Sequence, residues 1–181
     1  PALIKEWLKG IAKGAEEAEC PVTSGETGDV AEIIRGLAEV KGFDMVVAVI
    51  GEVAKPEIIT GKGIKPEDPI IGLRSSGLHS NGISLARKIL FKHWGGKYEP
   101  DAIPDGLDRE IAREALEPTR IYVKPVLNLA KKLAIKGAVH ITGDAYLKFD
   151  RLMKSSKGIG FEFNNFKPQP IFELIQKTAA E

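Results

Sequence analysis

The chain of 181 residues contains one cysteine, Cys20. A single thiol excludes an internal disulfide and cannot assemble a cysteine-based zinc site. Cys20 stands before Pro21 with no evident activating base, so it reads as structural. No run of about 18 apolar residues occurs, so no segment reads as a membrane-spanning helix. Neither sign of charge dominates: 26 Lys+Arg face 25 Asp+Glu, a formal net charge of +1. A dedicated nucleic-acid binder usually carries a clear basic excess, so that class is set aside. Three well-known loops are missing as well. There is no Gly-x-x-x-x-Gly-Lys-Ser/Thr, no dinucleotide fingerprint between a strand and a helix, and no Gly-x-Ser-x-Gly elbow. Repeats and low-complexity tracts are absent. The first residues, Pro1-Ala2-Leu3-Ile4-Lys5, show neither an initiator Met nor a signal h-region, so an internal or processed segment is expected.

What is present is ordinary globular composition, 43% hydrophobic and 28% charged, enough for one domain or two partial ones. Helical spacing of Ile4, Trp7, Leu8, Ile11 and Ala15 predicts a helix over 2–19, ended by Pro21. Residues 22–28 read as a short strand and turn, and 30–40 as a weak helix or loop. Met45 to Val53 is rich in β-branched residues and predicts a central strand. The Pro/Gly-bearing stretch 54–69 reads as the domain boundary, giving expected domains 1–61 and 62–181. Ile70 to Ser75 predicts a second strand, and 158–163 a third. Helices are expected over 83–94, from a cap at Asp105 or Asp108 to 115, and over 122–135, 145–153 and 170–180. Strands alternating with helices predict an α/β fold with mixed α+β character.

Four polar clusters punctuate these elements. Ser24-Gly25-Glu26-Thr27-Gly28 sets a carboxylate among small residues; it suits Mg²⁺, or is a solvated turn. Ser75-Ser76-Gly77-Leu78-His79-Ser80-Asn81-Gly82 follows a strand and opens a helix. Free N–H groups, hydroxyls, an amide and an imidazole there suit an anion, and phosphate above all. The plainer alternative is a capping loop using Ser80 or Asn81. Glu117-Pro118-Thr119-Arg120 is read as a turn with Arg120 in a salt bridge, ahead of an anion-binding role. His140-Ile141-Thr142-Gly143-Asp144 brings a histidine near a turn; no third ligand at a diagnostic spacing supports zinc.

Together these segments resemble the AIR synthetase (PurM) family, the phosphoribosylformylglycinamidine cyclo-ligases. The segment Ser75 to Leu90 carries the specific part of the resemblance. Ser24-Gly25-Glu26-Thr27, Leu116 to Lys124 and Val139 to Gly143 fall in the family's order. The resemblance spans roughly residues 2 to 163. It implies two α/β domains, each a sheet packed with helices and each incomplete here. The first would be the C-terminal half of an ATP-binding domain, the second the start of the C-terminal domain. It also implies a cytoplasmic homodimeric ligase of purine biosynthesis that uses ATP and Mg²⁺. The reaction would close formylglycinamidine ribonucleotide to aminoimidazole ribonucleotide after phosphoryl activation of the formyl oxygen.

By this resemblance Gly25, Glu26 and Thr27 bind ATP, with Glu26 on Mg²⁺. Ser75, Ser76, Gly77, His79, Ser80 and Asn81 face substrate or phosphate, and His140 and Thr142 lie at the reacting end. Three departures stand out. Ser24 replaces the first of two glycines. Asp144-Ala145-Tyr146 replaces a glycine-rich continuation. The family's N-terminal segment, with its lysine and aspartate motifs, does not occur, so the isolated chain is expected not to turn over ATP. Thiamine-monophosphate kinase, selenophosphate synthetase and the hydrogenase-maturation dehydratase share the two-domain plan and are the nearest alternatives. A non-catalytic nucleotide-binding paralogue is the alternative of another class.

Overall fold

The computed structural model describes residues 2–29, 32–34, 36 and 42–180. The weak helix or loop expected over 30–40 falls largely outside them. The chain divides into two compact units, Pro1–Ile58 and Ile59–Glu181, parting inside the Pro/Gly-bearing stretch 54–69.

The first unit is built on α1 (Ala2–Ala18). The helix stops where Glu19 takes a left-handed φ of +53° and the Cys20 N–H bonds back to the Ala15 carbonyl at 2.9 Å. Trp7 on α1 meets Phe43 edge-on, ring centroids 4.1 Å apart. The other described residues of the unit form no further α-helix; a 3₁₀ turn spans Lys55–Glu57.

The expected α/β fold is not what forms. Among the described residues there is no β-strand, only two isolated bridges, Phe91 with Tyr98 and Thr142 with Asp144. The segments read as strands, 22–28, 45–53, 70–75 and 158–163, run without a hydrogen-bonded ladder. β-branched composition favours a pleated surface, but a strand exists only where its N–H and C=O groups find a neighbour to pair with. Here none is supplied, and the apolar side chains stay in water: Val46 is 91% and Ile50 95% exposed.

The second unit holds the core. The helices predicted from periodicity form as α2 (Ile83–Leu90), α3 (Ile111–Ala115), α4 (Val123–Lys132), α5 (Asp150–Met153) and α6 (Pro170–Ala180). Single 3₁₀ turns extend α2 over Lys92–Trp94 and precede α5 over Ala145–Phe149. α2 packs on α6, burying Ala86, Leu90, Ile171 and Leu174 together with Leu78, Phe91 and Ile111. Leu90, Ile111 and Ile171 lose all exposure, and each such side chain contributes about 1.5–3 kcal/mol. Leu85, on the opposite side of α2, is exposed. α4 buries none of its residues, so its apolar stripe stays open. Asp105 and Asp108 do not cap α3; its N-cap is Glu110, without a side-chain bond.

A smaller cluster ties the start of this unit to its middle. The Gly61 N–H donates to the Lys136 carbonyl at 2.9 Å, and the buried Ser156 hydroxyl donates to the Gly61 carbonyl at 2.6 Å. Lys136 Nζ grips both Asp68 oxygens at 2.6 Å. That hydrogen bond, helped by the Lys65 N–H, holds the Asp68 carboxyl below its ordinary value. No helix among the described residues is long and apolar enough to cross a membrane.

The turn after α2 depends on the absence of a side chain. A Cβ on Gly96 would stand 2.6 Å from Ile89 O, Leu90 C and Phe91 N, all backbone atoms that cannot yield. Gly10, inside α1, has nothing within 4 Å. Gly96→Ala should therefore cost about 2 kcal/mol or more, whereas Gly10→Ala should gain about 0.5–1 kcal/mol in helix propensity. Urea unfolding of the two variants checks the contrast; effects of the same sign would refute it.

Candidate functional site

Leu78 is buried in the α2–α6 core, so the loop that carries it is pinned at its middle. Gly77, just before it, is also buried and has φ +135°, a backbone angle that side-chain-bearing residues rarely adopt. The loop therefore turns sharply and presents Ser76 and His79 on either side of the anchor. Gln169, ahead of α6, clamps the loop's start: the Ser75 hydroxyl donates to Gln169 Oε1 at 3.2 Å, and Gln169 Nε2 donates to the Ser75 carbonyl at 2.7 Å. At its far end Gly82 is the N-cap of α2, with no side-chain capping bond. Ser80 and Asn81 are thus exposed side chains and not caps, contrary to the plainer reading of this loop.

Three other segments meet this loop. The Ser76 hydroxyl donates to the Pro118 carbonyl at 2.7 Å and lies 3.1 Å from His79 Nε2. The Tyr122 hydroxyl donates to the Arg74 carbonyl at 3.1 Å. The Tyr122 ring stands edge-on to His140, centroids 6.5 Å apart. A Cβ on Gly143 would lie 3.8 Å from Asn81 Nδ2. The structure therefore brings Ser75, Ser76, Gly77, His79 and Asn81 together with His140 and the turn of Thr142 and Gly143. Ser80 belongs to the same loop.

The histidines differ in setting. Burial holds His79 below its ordinary 6.5, and the charge of His140 adds to this. The Ser76 N–H points at His79 Nε2 at 3.4 Å, so that nitrogen accepts and the ring proton sits on Nδ1. His79 is a neutral imidazole, a base and not an acid, around neutral pH. His140 is exposed.

Asp144, which replaces the glycine the resemblance expects, adopts φ +64°, and Ala145 follows at +44°. The turn keeps a glycine-like backbone without glycine, as aspartate tolerates better than most residues. The next turn sends Lys148 back across it: Lys148 Nζ bonds the Thr142 hydroxyl oxygen and the His140 carbonyl, the latter at 3.3 Å.

Sequence reading missed Lys148, Gln169 and Arg109. Arg109 bridges Glu114 at 2.6 Å and Glu117 at 2.7 Å, and these two bonds, Glu114 first, raise its already high pKa. It fixes the turn that offers the Pro118 carbonyl. The salt bridge expected of Arg120 is not made among the described residues; Arg109 takes that place. Gln169 carries no local mark because its partner Ser75 is far away in the chain, while Arg109 and Lys148 meet theirs only through the way their own turns fold back.

Gly25, Glu26 and Thr27 belong to the first unit and are exposed. Space around Gly25 and Gly28 is open, with nothing within 4 Å of a Cβ. Among the described residues no group of three or more His, Cys, Asp or Glu could hold a metal.

The family model for AIR synthase related protein, C-terminal domain, matches residues 65–180. The phosphoribosylformylglycinamidine cyclo-ligase of Methanopyrus kandleri is 42% identical over 177 residues, covering 98% of this chain and 49% of the relative. That of Myxococcus xanthus is 44% identical over 177 residues, 97% of this chain and 49% of the relative. That of Bacillus cereus strain AH187 is 37% identical over 179 residues, 98% and 50%. The chain spans about half the length of the curated relatives it matches.

The setting of His79 makes stability depend on pH. Its folded pKa lies below the unfolded 6.5, so the unfolded ring takes up its proton first as pH falls. The contribution is fully present above 6.5 and is lost as pH drops through the lowered folded value. His79→Gln should flatten this part of the urea-midpoint profile. In a proton NMR titration, His140→Gln should raise the His79 pKa only part of the way, since burial is the larger cause. Full return to 6.5 would contradict the assignment.

Proposed function

The chain belongs to the AIR synthase family, and on that premise we propose that it supplies binding loops for ATP-dependent ring closure of formylglycinamidine ribonucleotide to aminoimidazole ribonucleotide. The observation that carries the reading is the convergence of Ser76, His79 and Asn81 with His140 and Gly143 around one loop. The Ser80 hydroxyl and the Asn81 amide supply donors of the kind a phosphorylated substrate requires.

In this reading the γ-phosphoryl group of ATP passes to the formyl oxygen, releasing ADP. The amidine nitrogen then bonds the activated carbon, and phosphate leaves with that oxygen as the ring closes. Such chemistry rests mainly on positioning and charge neutralisation, so no covalent nucleophile is needed. Ser80 and Asn81 hold substrate or phosphate by hydroxyl and amide donors, while Ser75 and Ser76 face it from the loop with their hydroxyl protons already given to Gln169 and Pro118. Gly77 lets the backbone approach. Neutral His79 orients substrate or takes a proton. His140 and Thr142 stand at the reacting end. Gly25, Glu26 and Thr27 bind the ATP side, Glu26 as the Mg²⁺ ligand; the ion supplies charge neutralisation on the phosphates. The same reading makes the protein a cytoplasmic homodimer. The exposed apolar run 45–53 is the face a second copy would cover.

Two measurements test this. ADP release by the whole-length enzyme carrying this segment should depend on formylglycinamidine ribonucleotide. It should fall on the order of 10²-fold in Glu26→Gln, the scale of losing one charge-stabilising group. Substrate-independent release would refute the reading. In sedimentation equilibrium, Ile50→Lys should shift the protein toward monomer; an unchanged mass would remove residues 45–53 from the interface.

A further inference from the structure

The Lys148 ammonium is anchored but not neutralised. It reaches the Thr142 hydroxyl oxygen and the His140 carbonyl, both uncharged acceptors. Among the described residues, no carboxylate lies within ion-pair distance of it, not even Asp144 four positions earlier. Lys136 and Arg109 are also half-buried, and each faces carboxylates: Lys136 meets Asp68, and Arg109 meets Glu114 and Glu117. A half-buried cation without a counter-charge is costly unless a ligand supplies one. An ammonium has three N–H donors, and two are used within the turn.

The surroundings point the same way. Gly143 stands beside the Asn81 amide, and His140 lies close enough to His79 to act on it electrostatically. Glu114, whose carboxylate lies beside Gly77, is already taken by Arg109. Hydroxyl, amide, imidazole and ammonium groups gather here, and no ion pair ties Lys148 to a carboxylate among the described residues. The left-handed Asp144 and Ala145 bend the chain so that the 3₁₀ turn carrying Lys148 folds back over Thr142.

We propose that Lys148 is an anion-binding residue of this site, holding a phosphate of a nucleotide against the Thr142–Gly143 turn. The proposal rests on the ring-closure reading and deepens it by naming the group that carries the positive charge. The phosphate belongs either to the ribonucleotide substrate or to ATP, and the two are separable by titration.

The test is calorimetric titration of the chain at low salt with formylglycinamidine ribonucleotide, with Mg–ATP and with sodium phosphate, each alone. Lys148→Met should weaken one of the two nucleotides about tenfold or more, the scale of one charge-assisted hydrogen bond. Whichever nucleotide weakens identifies the phosphate. Lys148→Arg should recover most of the affinity, because it keeps the charge. Lys132→Met, which removes the same charge from an exposed position on α4, should change nothing. Thermal melts of all three variants guard against a folding defect; if Lys148→Met melts early, the arginine variant decides the matter by whether it binds. Unchanged nucleotide affinity in Lys148→Met overturns the proposal alone. So does a loss confined to sodium phosphate. A wild-type chain that binds neither nucleotide overturns this proposal and the substrate-site reading together.

Discussion

The burial of Leu78 is the contact on which the candidate site depends. One leucine, set between Gly77 and His79, is driven into the α2–α6 core by the hydrophobic effect. Its neighbours are carried with it. Ser76 is then close enough to bond the Pro118 carbonyl and His79, and Asn81 comes beside Gly143. The loop is polar in composition but its position is fixed by an apolar side chain. This is how a site on a loop gains the precision of a helix.

Charge is distributed unevenly around that anchor. Arg109 is spent on Glu114 and Glu117 within its own stretch of chain, whereas Lys136 is spent on Asp68 and clamps segments distant in sequence. Exposed pairs such as Lys9 with Glu6 contribute little. Lys148 differs because its partners are neutral oxygens of its own turn. His79 differs again: burial keeps it neutral while His140 stays exposed. The site thus contains a fixed cation and a neutral base, with the Glu114 carboxylate beside Gly77 already paired to Arg109.

Left-handed backbone occurs at the site as well. Gly77 at φ +135° and Asp144 at +64° both lie on segments that meet at the site. The first is relieved by glycine; the second is carried by an aspartate. Strain of this kind persists only where surrounding contacts hold it. Here the Lys148 bonds and the 2.9 Å bond from the Leu147 N–H to the Asp144 carbonyl do so.

The six helices were legible in the residues because helical periodicity is local: Ile83, Ala86 and Leu90 recur on one face whatever lies beyond them. The loop from Ser75 to Gly82 was legible for a similar reason, since small and polar residues concentrated over eight positions exceed what a cap requires. Strands were not legible in this way. Val46 to Ile50 has every local mark of one, yet pairing is a non-local property and no partner is supplied to it. Nor did composition reveal Arg109, Lys148 or Gln169: distant Ser75 defines the last, and the fold of their own turns defines the other two. By itself the sequence determined the helices, the turn chemistry and the family. Only the tertiary structure decided which extended segments stay unpaired, which histidine is neutral and which lysine keeps an unspent charge. Those depend on burial and on distances between residues far apart in the chain.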